Sequence, residues 1–223
     1  MTSSNGFFDE RTKFMVATLV FVFVWITSNS FLCWGWVSAA ILAFGVWIVM
    51  LSYGLVKKDQ LVLSFLALAT VAGFVELAAD NWLVNGIEKL FYEKDEPQIV
   101  ASPIYMPFGW AVILTQIGFI GWKLIDRWSL IKASLFTGLI GGLLIPFYEH
   151  CAKGACWWVY HDWNHEWWNT PYFIIMGEAL LMLIIPYAMS KAATHKWSDI
   201  IIWGVISGLW IWASYYIGFV VVG

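Results

Sequence analysis

The amino-acid sequence predicts an all-α polytopic membrane protein with seven transmembrane helices and a parallel internal repeat. Hydrophobic residues make up 61% of the 223 residues and charged residues only 12%. A soluble domain carries roughly 25% charged residues. One soluble core of this length could not bury so much apolar surface and keep a wettable exterior. The composition therefore excludes a soluble enzyme and a disordered chain, and the net charge of −3 argues against a nucleic-acid partner.

Seven stretches of the sequence are apolar over the length of about 20 residues that a membrane-spanning helix needs. They occupy residues 14–33, 36–56, 61–87, 104–122, 130–150, 171–190 and 199–221. The first follows Arg11 and Lys13 in the manner of a signal peptide, but we expect it to be retained as a helix. The sequence therefore predicts a single transmembrane domain over residues 1–223.

Lysine and arginine are distributed unevenly between the two ends of this predicted bundle. One end carries nine of them, at Arg11, Lys13, Lys57, Lys58, Lys123, Arg127, Lys132, Lys191 and Lys196. The other end carries three, at Lys89, Lys94 and Lys153. The positive-inside rule then predicts a cytoplasmic N-terminus and an external or lumenal C-terminus.

Two parts of the chain, about 61–125 and 130–190, share a pattern of residues that predicts a repeat of helices 3–4 and 5–6. The first part contains Phe74, Glu76, Tyr92, Ser102, Pro103, Gly109 and Ala111, and the second contains Phe147, Glu149, Tyr160, Thr170, Pro171, Gly177 and Ala179. In both parts the tyrosine precedes the proline by eleven residues. Both would start on the cytoplasmic side, which is the arrangement of a parallel repeat.

Acidic residues inside the predicted spans are the candidate catalytic groups, because charges within a bilayer are costly and usually mark function. They are Glu76 and Asp80 in helix 3, Glu149 in helix 5 and Glu178 in helix 6. Glu178 lies about 10 Å from the external end of its helix at 1.5 Å per residue. The pattern predicts one polar-lined cavity in the external half of the bundle. The alternatives are a Glu149–Lys153 ion pair, and capping or helix-to-helix hydrogen bonds by Asp80 and Asn81.

Aromatic and neutral polar residues near these acids are the candidate substrate-binding groups in a chain with 17 tryptophans. The set comprises Asn81, Trp82, Tyr92, Tyr105, Trp110, Gln116, His150, Trp157, Trp158, Tyr160 and Tyr172. A carboxylic acid in apolar surroundings stays protonated and acts as a general acid, and aromatic faces stabilise a passing cation. These parts suit cyclisation, isomerisation or hydration of an isoprenoid or similar apolar lipid, without a cofactor.

The segment 151–170 offers two further chemistries. His161 and His165 are four residues apart, so together with a carboxylate they could hold a single zinc ion. A di-iron site needs many more histidines than the four in this chain. The three cysteines are either buried apolar residues or include one disulfide, for example between Cys151 and Cys156.

Two short segments resemble known enzyme families. Residues Trp167 to Pro171 resemble the W-x-N-[ST]-P stretch of small seven-helix membrane-bound terpene cyclases of fungal meroterpenoid and indole-diterpene pathways. That resemblance implies a proton-donating role for Glu76, whereas the position of the family's late acid holds Ile184, six residues after Glu178. Glu149-His150 and the later Pro171-Tyr172-Phe173 are similar to sterol isomerases of the emopamil-binding type, which have fewer helices.

Three non-enzymatic functions compete with this interpretation. A retinal protein is excluded because residues 199–221 contain no lysine for a Schiff base. A proton-coupled transporter would suit the repeat and the intramembrane acids. A lipid-binding or assembly protein would suit the Gly204-x-x-x-Gly208 spacing, which allows close packing on another helix or subunit.

Overall fold

The computed structural model describes residues 9–161 and 166–223 and confirms the all-α prediction. That part of the chain contains seven helices long and apolar enough to cross a membrane. They are α1 (Glu10–Leu32), α2 (Trp36–Val56), α3 (Gln60–Asn81), α4 (Met106–Ile125), α5 (Leu130–Gly154), α6 (Tyr172–Ala192) and α7 (Trp197–Val222). A π-helical turn, Trp82–Gly86, continues α3, and α5 extends one turn past its predicted end.

Side-chain caps explain where three of the helices begin. The Asp9 carboxylate accepts a hydrogen bond of 2.7 Å from the Thr12 backbone N–H at the start of α1. Asp59 does the same for two backbone N–H groups of α3, and Ser129 caps α5. Each cap satisfies N–H groups that have no partner within the helix.

Helices α3, α4 and α6 form the centre of the bundle, with 61%, 56% and 56% of their apolar spans buried, against 22% for α5. Helix α7 packs along α3 and α6, because Gly204 and Gly208 bring it close to α3. A Cβ atom on Gly208 would lie 2.5 Å from the Val75 Cβ atom. The Gly204-x-x-x-Gly208 spacing therefore serves contact with another helix of the same chain.

In the described part of the chain, six short strands lie at one end of the bundle, which we call the hairpin end. Strand β1 (Leu90–Tyr92) pairs antiparallel with β4 (Trp158–Tyr160), so Tyr92 lies opposite Trp158. Two hairpins accompany this ladder: β2 (Gln98–Ile99) with β3 (Ser102–Pro103), and β5 (Glu166–Trp167) with β6 (Thr170–Pro171). Strands of two or three residues are too short for a periodic hydrophobic pattern, so the sequence did not predict them.

The disulfide at the hairpin end differs from the pairing suggested by sequence. Cys33, just after α1, is bonded to Cys156, just after α5, whereas Cys151 is free and buried. A Cys151–Cys156 bridge is wrong because α5 continues through Gly154 and keeps Cys151 within the helix. The observed bond joins the ends of α1 and α5.

Ion pairs gather at the opposite end of the bundle, which we call the ion-pair end. Arg11 contacts Asp59 at 2.6 Å, and Lys123 on α4 contacts Asp9 at 2.8 Å. Burial by itself would raise the pKa of Asp9, but hydrogen bonds from Lys123 and Thr12 lower it to about 2. These pairs tie α1 to α4 and to the start of α3.

Candidate active site

A cavity of about 140 Å³ lies within the bundle, beneath the β1–β4 ladder. Its walls come from all seven helices, and three carboxyl groups from three helices reach it: Asp80 on α3, Glu149 on α5 and Glu178 on α6. All three side chains are buried in the protein. Because burying a carboxyl group is costly unless it is paired, its hydrogen-bond partners decide how it is held.

Each of these carboxyl groups accepts a hydrogen bond from an aromatic side chain. The Tyr92 hydroxyl donates to Asp80 at 2.7 Å, the Trp158 indole N–H donates to Glu149 at 2.6 Å, and the Tyr215 hydroxyl donates to Glu178 at 2.6 Å. Asp80 also accepts a short bond from Ser102. Since Tyr92 and Trp158 are opposite each other in the β1–β4 ladder, one strand pair holds acids on two different helices.

Aromatic rings form much of the cavity wall near the acids. They belong to Tyr92, Tyr105, Trp110, Tyr148, Trp157, Trp158, Tyr160 and Tyr215. Trp157 is fully buried and donates its indole N–H to the Ser38 hydroxyl at 2.8 Å. Such ring faces stabilise a cation without reacting with it.

The wall away from the acids is mostly apolar. It includes Val22, Leu42, Ile117 and Met182, from four different helices. Gln116 also lies here, and its side-chain amide donates to the Thr18 hydroxyl at 3.1 Å. The cavity is therefore amphipathic, with carboxyl and hydroxyl groups toward the hairpin end and mostly hydrocarbon toward the middle of the helix bundle.

Comparison with protein-family models matches residues 77–222 to a family described as "Domain of unknown function (DUF6989)". The matched segment covers more than half of the chain. The chain belongs to the DUF6989 family. Comparison with curated proteins and with solved structures finds no match. The segment shared with DUF6989 contains Asp80, Glu149, Glu178 and all six strands, whereas α1, α2 and Glu76 precede it.

Most of the predicted site residues of this DUF6989 protein line the cavity. The predicted residues found there are Asp80, Tyr92, Tyr105, Trp110, Gln116, Glu149, Trp157, Trp158, Tyr160 and Glu178. The structure adds Tyr148 and Tyr215, which the sequence prediction missed. The available signal was a tyrosine within an apolar helix, directly before Glu149 in α5 and in the second half of α7.

Glu76 does not line the cavity. Its side chain is fully buried one turn from Asp80 on the same face of α3, and it interacts with Asp80, Glu178 and Trp110. Within the described part of the chain, neither of its carboxyl oxygens has a well-formed hydrogen bond. Glu76 therefore lies next to Asp80, Glu178 and Trp110, which line the cavity, without lining it itself.

Four predicted substrate-binding residues lie outside the cavity, because adjacent positions on a helix point about 100° apart. Asn81 follows Asp80 but is exposed and bonds to Asn85. Trp82 packs on Phe219 of α7, at 5.6 Å between ring centroids. His150 and Tyr172 are exposed, and His150 bonds to Asn169.

Lys153 does not form the ion pair with Glu149 that the sequence allowed. Its ammonium group donates to the Asn169 side chain at 2.7 Å, while Glu149 turns inward to Trp158. The alternative of a four-apart ion pair at the membrane interface is therefore wrong.

The zinc alternative rests partly on a residue outside the described part of the chain. His165 lies in 162–165, which the structure does not describe. The His161 ring packs edge-on against Phe91, at 4.8 Å between centroids. Among residues 9–161 and 166–223, no group of three histidine, cysteine or acidic side chains is placed to hold a metal ion.

The phenols over the cavity remain neutral donors. Burial, together with the charge of nearby Asp80, raises the pKa of Tyr92 well above its ordinary value. Burial and the charge of Glu149 do the same for Tyr160. Tyr105 donates to the buried Glu96 carboxylate at 3.0 Å, which anchors one wall of the cavity to the loop after β1.

We expect the stability of the folded protein to fall as the pH rises from about 4.5 to 7, because burial raises the pKa of Glu96 from 4.5 to about 7. In this window the folded state binds more protons than the unfolded state, so deprotonation favours unfolding. Thermal unfolding in detergent at pH 5 and pH 8 measures the difference, and Glu96→Gln should reduce it. The exposed Glu88→Gln is the matched control. An unchanged pH dependence in Glu96→Gln would contradict this assignment.

Proposed function

We propose that this protein is a membrane-embedded enzyme that performs acid–base chemistry on an isoprenoid or similar apolar lipid through a carbocation. The observation that carries the proposal is the convergence of three buried carboxyl groups from three helices on one aromatic-walled cavity. Cyclisation, double-bond isomerisation and hydration all use such a site. The resemblance of residues 167–171 to membrane-bound terpene cyclases supports the same class of substrate.

Glu149 and Glu178 are the groups we assign to proton transfer with the substrate. Each accepts one aromatic hydrogen bond through one oxygen, which leaves its other oxygen for the substrate. One acid donates its proton to an alkene carbon, which leaves the positive charge on the adjacent carbon, and the second group, as a carboxylate, then removes a proton from a carbon next to the cation so that a double bond forms. Between these steps the cation lies against rings such as Trp110 and Tyr148, which cannot trap it as water would.

Asp80 and Glu76 form the second part of the proposed machinery. Asp80 reaches the cavity and accepts bonds from Tyr92 and Ser102, while Glu76 lies next to it. When two carboxyl groups are adjacent in a low-dielectric site, sharing one proton costs less free energy than ionising both groups. We assign Asp80 as an alternative base and Glu76 as the residue that positions its proton.

We infer that the hairpin end faces the external or lumenal side. The Cys33–Cys156 disulfide lies at that end, and disulfides persist in oxidising compartments. Nine lysines and arginines belong to the opposite end, as the positive-inside rule requires for a cytoplasmic surface. The acids would then lie in the outer half of the membrane.

We also infer that α3–α4 and α5–α6 are two copies of one unit. The strand pairs β2–β3 and β5–β6 are 68 residues apart along the chain, as are β1 and β4. In the β1–β4 ladder, Phe91 pairs with Val159, which is also 68 residues later, so a two-fold axis through this pair would exchange the strands. The cavity would lie where the two copies meet.

The test replaces each glutamic acid by glutamine and identifies the lipids that co-purify with each variant. We expect Glu178→Gln and Glu149→Gln to abolish conversion of an isoprenoid substrate, because an amide neither donates a catalytic proton nor accepts one. Mass spectrometry of lipids that co-purify with each variant should then show the unreacted substrate. Glu166→Gln, an exposed residue in β5, is the matched control.

Two outcomes would contradict the proposal. Full conversion by both amide variants would remove the acids from the chemistry. Substrate-dependent proton movement in proteoliposomes, with the substrate chemically unchanged, would show a transporter instead.

A further inference from the structure

We infer that only one end of the lipid substrate occupies the cavity, and that the rest of its chain passes between α1 and α5 into the bilayer. The inference rests on the proposed function, because it takes the ligand to be an apolar lipid. It adds a location for the chain and a route for its access.

The size of the cavity requires part of the substrate to lie elsewhere. The cavity measures about 140 Å³. An apolar cavity of about 150 Å³ in another protein holds one benzene molecule, so roughly six to eight carbon atoms fit here. An isoprenoid long enough to reside in a membrane has several times that number.

At the hairpin end the β1–β4 ladder lies over the acids, because Tyr92 and Trp158 bond to Asp80 and Glu149. Trp157 is fully buried there, beside the Cys33–Cys156 disulfide, and the Gly35 backbone N–H donates to the Ala155 carbonyl at 3.0 Å. A hydrocarbon chain leaving in this direction would also have to enter water. The remaining direction is sideways, into the membrane.

Helices α1 and α5 are linked to each other near the hairpin end. Nearer the ion-pair end, each is linked to other helices instead. Near the hairpin end they share the disulfide and the Phe23–Phe147 ring contact, at 5.9 Å between centroids. Toward the ion-pair end α1 is bound to α4 and α2, through Lys123–Asp9 and the stacked Phe14–Tyr53 rings, whereas α5 contacts α6 through Thr137. Among the described residues, the disulfide and ring links between α1 and α5 lie at Phe23 or nearer the hairpin end.

At this seam, a single helix, α5, separates the cavity from the outer surface of the protein. Phe23 on α1 and Ile140 and Leu144 on α5 line the cavity. Their neighbours Leu139 and Leu143 are 58% and 54% exposed on the outer surface, which faces lipid in a membrane. The edge of α5 thus borders the cavity on one side and the hydrocarbon of the bilayer on the other.

A photolabelling experiment tests this route. The probes are two long-chain polyprenyl alcohols, one with a diazirine about eight carbon atoms from the hydroxyl end and one with it about eight carbon atoms from the other end, each incorporated into nanodiscs with the 223-residue chain. After irradiation, peptide mass spectrometry should locate the label of one probe at Phe23, Ile140 or Leu144. We expect Leu144→Trp to abolish this labelling and substrate conversion, because the indole fills the seam. The control Leu143→Trp places the same bulk on the lipid face and should leave both unchanged.

The outcomes separate this inference from the proposed function. Label located at another pair of helices, or full conversion by Leu144→Trp, would overturn the route while the acid variants still test the chemistry. Label at the seam with full activity in Glu178→Gln and Glu149→Gln would support the route and overturn the proposed reaction. Loss of labelling in Leu144→Trp with normal thermal stability excludes misfolding as its cause.

Discussion

Replacing Gly208 with valine is expected to separate α7 from α3 and to prevent assembly of a stable bundle. The added Cβ atom would lie 2.5 Å from the Val75 Cβ atom and 2.6 Å from the Ala72 carbonyl oxygen. Neither backbone nor a β-branched side chain can move aside within a packed helix pair. Overpacking of this kind costs about 1–3 kcal/mol or more. Size-exclusion chromatography and thermal unfolding in detergent measure the loss.

Gly45→Val is the matched control, since it makes the same change in α2. A Cβ atom at Gly45 would have nothing within 4 Å, so we expect little change in thermal stability. Equal loss of stability in the two variants would show that helix propensity, rather than contact with α3, decides the effect. A Gly208→Val protein that is stable but changed in oligomeric state would instead indicate a subunit contact.

Removing the disulfide with Cys33→Ser and Cys156→Ser is expected to destabilise the protein and, if the proposed function holds, to reduce conversion of the lipid as well. The bond closes a loop with a sequence separation of 123 residues. The chain-entropy description gives about 4–5 kcal/mol for a loop of this size, or roughly 8–20 °C in melting temperature for a protein of this length. The proposed conversion would fall because Cys156 directly precedes Trp157 and Trp158, and the Trp158 indole donates to Glu149.

Cys151→Ala is the control, because this free cysteine lies near the end of α5, close in sequence to Cys156. We expect it to keep most of the thermal stability, and we expect reduction of the wild-type protein by dithiothreitol to reproduce the double variant. A melting temperature that does not respond to reduction would contradict a stabilising role for the bond. Melting that falls while the activity of the remaining folded protein is unchanged would separate the disulfide from the site.

The sequence predicted which acids line the cavity better than it predicted which aromatic residues lie beside them. An acidic residue within an apolar span must turn inward, which is why Asp80, Glu149 and Glu178 were found in the cavity. Aromatic residues carry no such constraint, because lipid, interface and cavity all accept them. Trp110 lines the cavity and Trp82 packs on α7, although both lie near acids in the sequence.

The hairpin end could not be predicted for a different reason. Its strands have two or three residues each, and the Cys33–Cys156 bond joins residues 123 positions apart. No local pattern encodes such pairings, since they depend on which helix ends come together in space. The ladder that brings Tyr92 to Asp80 and Trp158 to Glu149 is of this kind.

By itself, the sequence determined a seven-helix membrane domain, its approximate helix boundaries and the acids that turn inward. These follow from the free energy of placing apolar and charged side chains in hydrocarbon, which acts residue by residue. Only the tertiary structure decided which acids share a cavity, that Glu76 is buried without lining it, and which aromatic donors hold each carboxyl group. Those properties depend on helix rotation and on contacts between distant segments, and packing alone determines both.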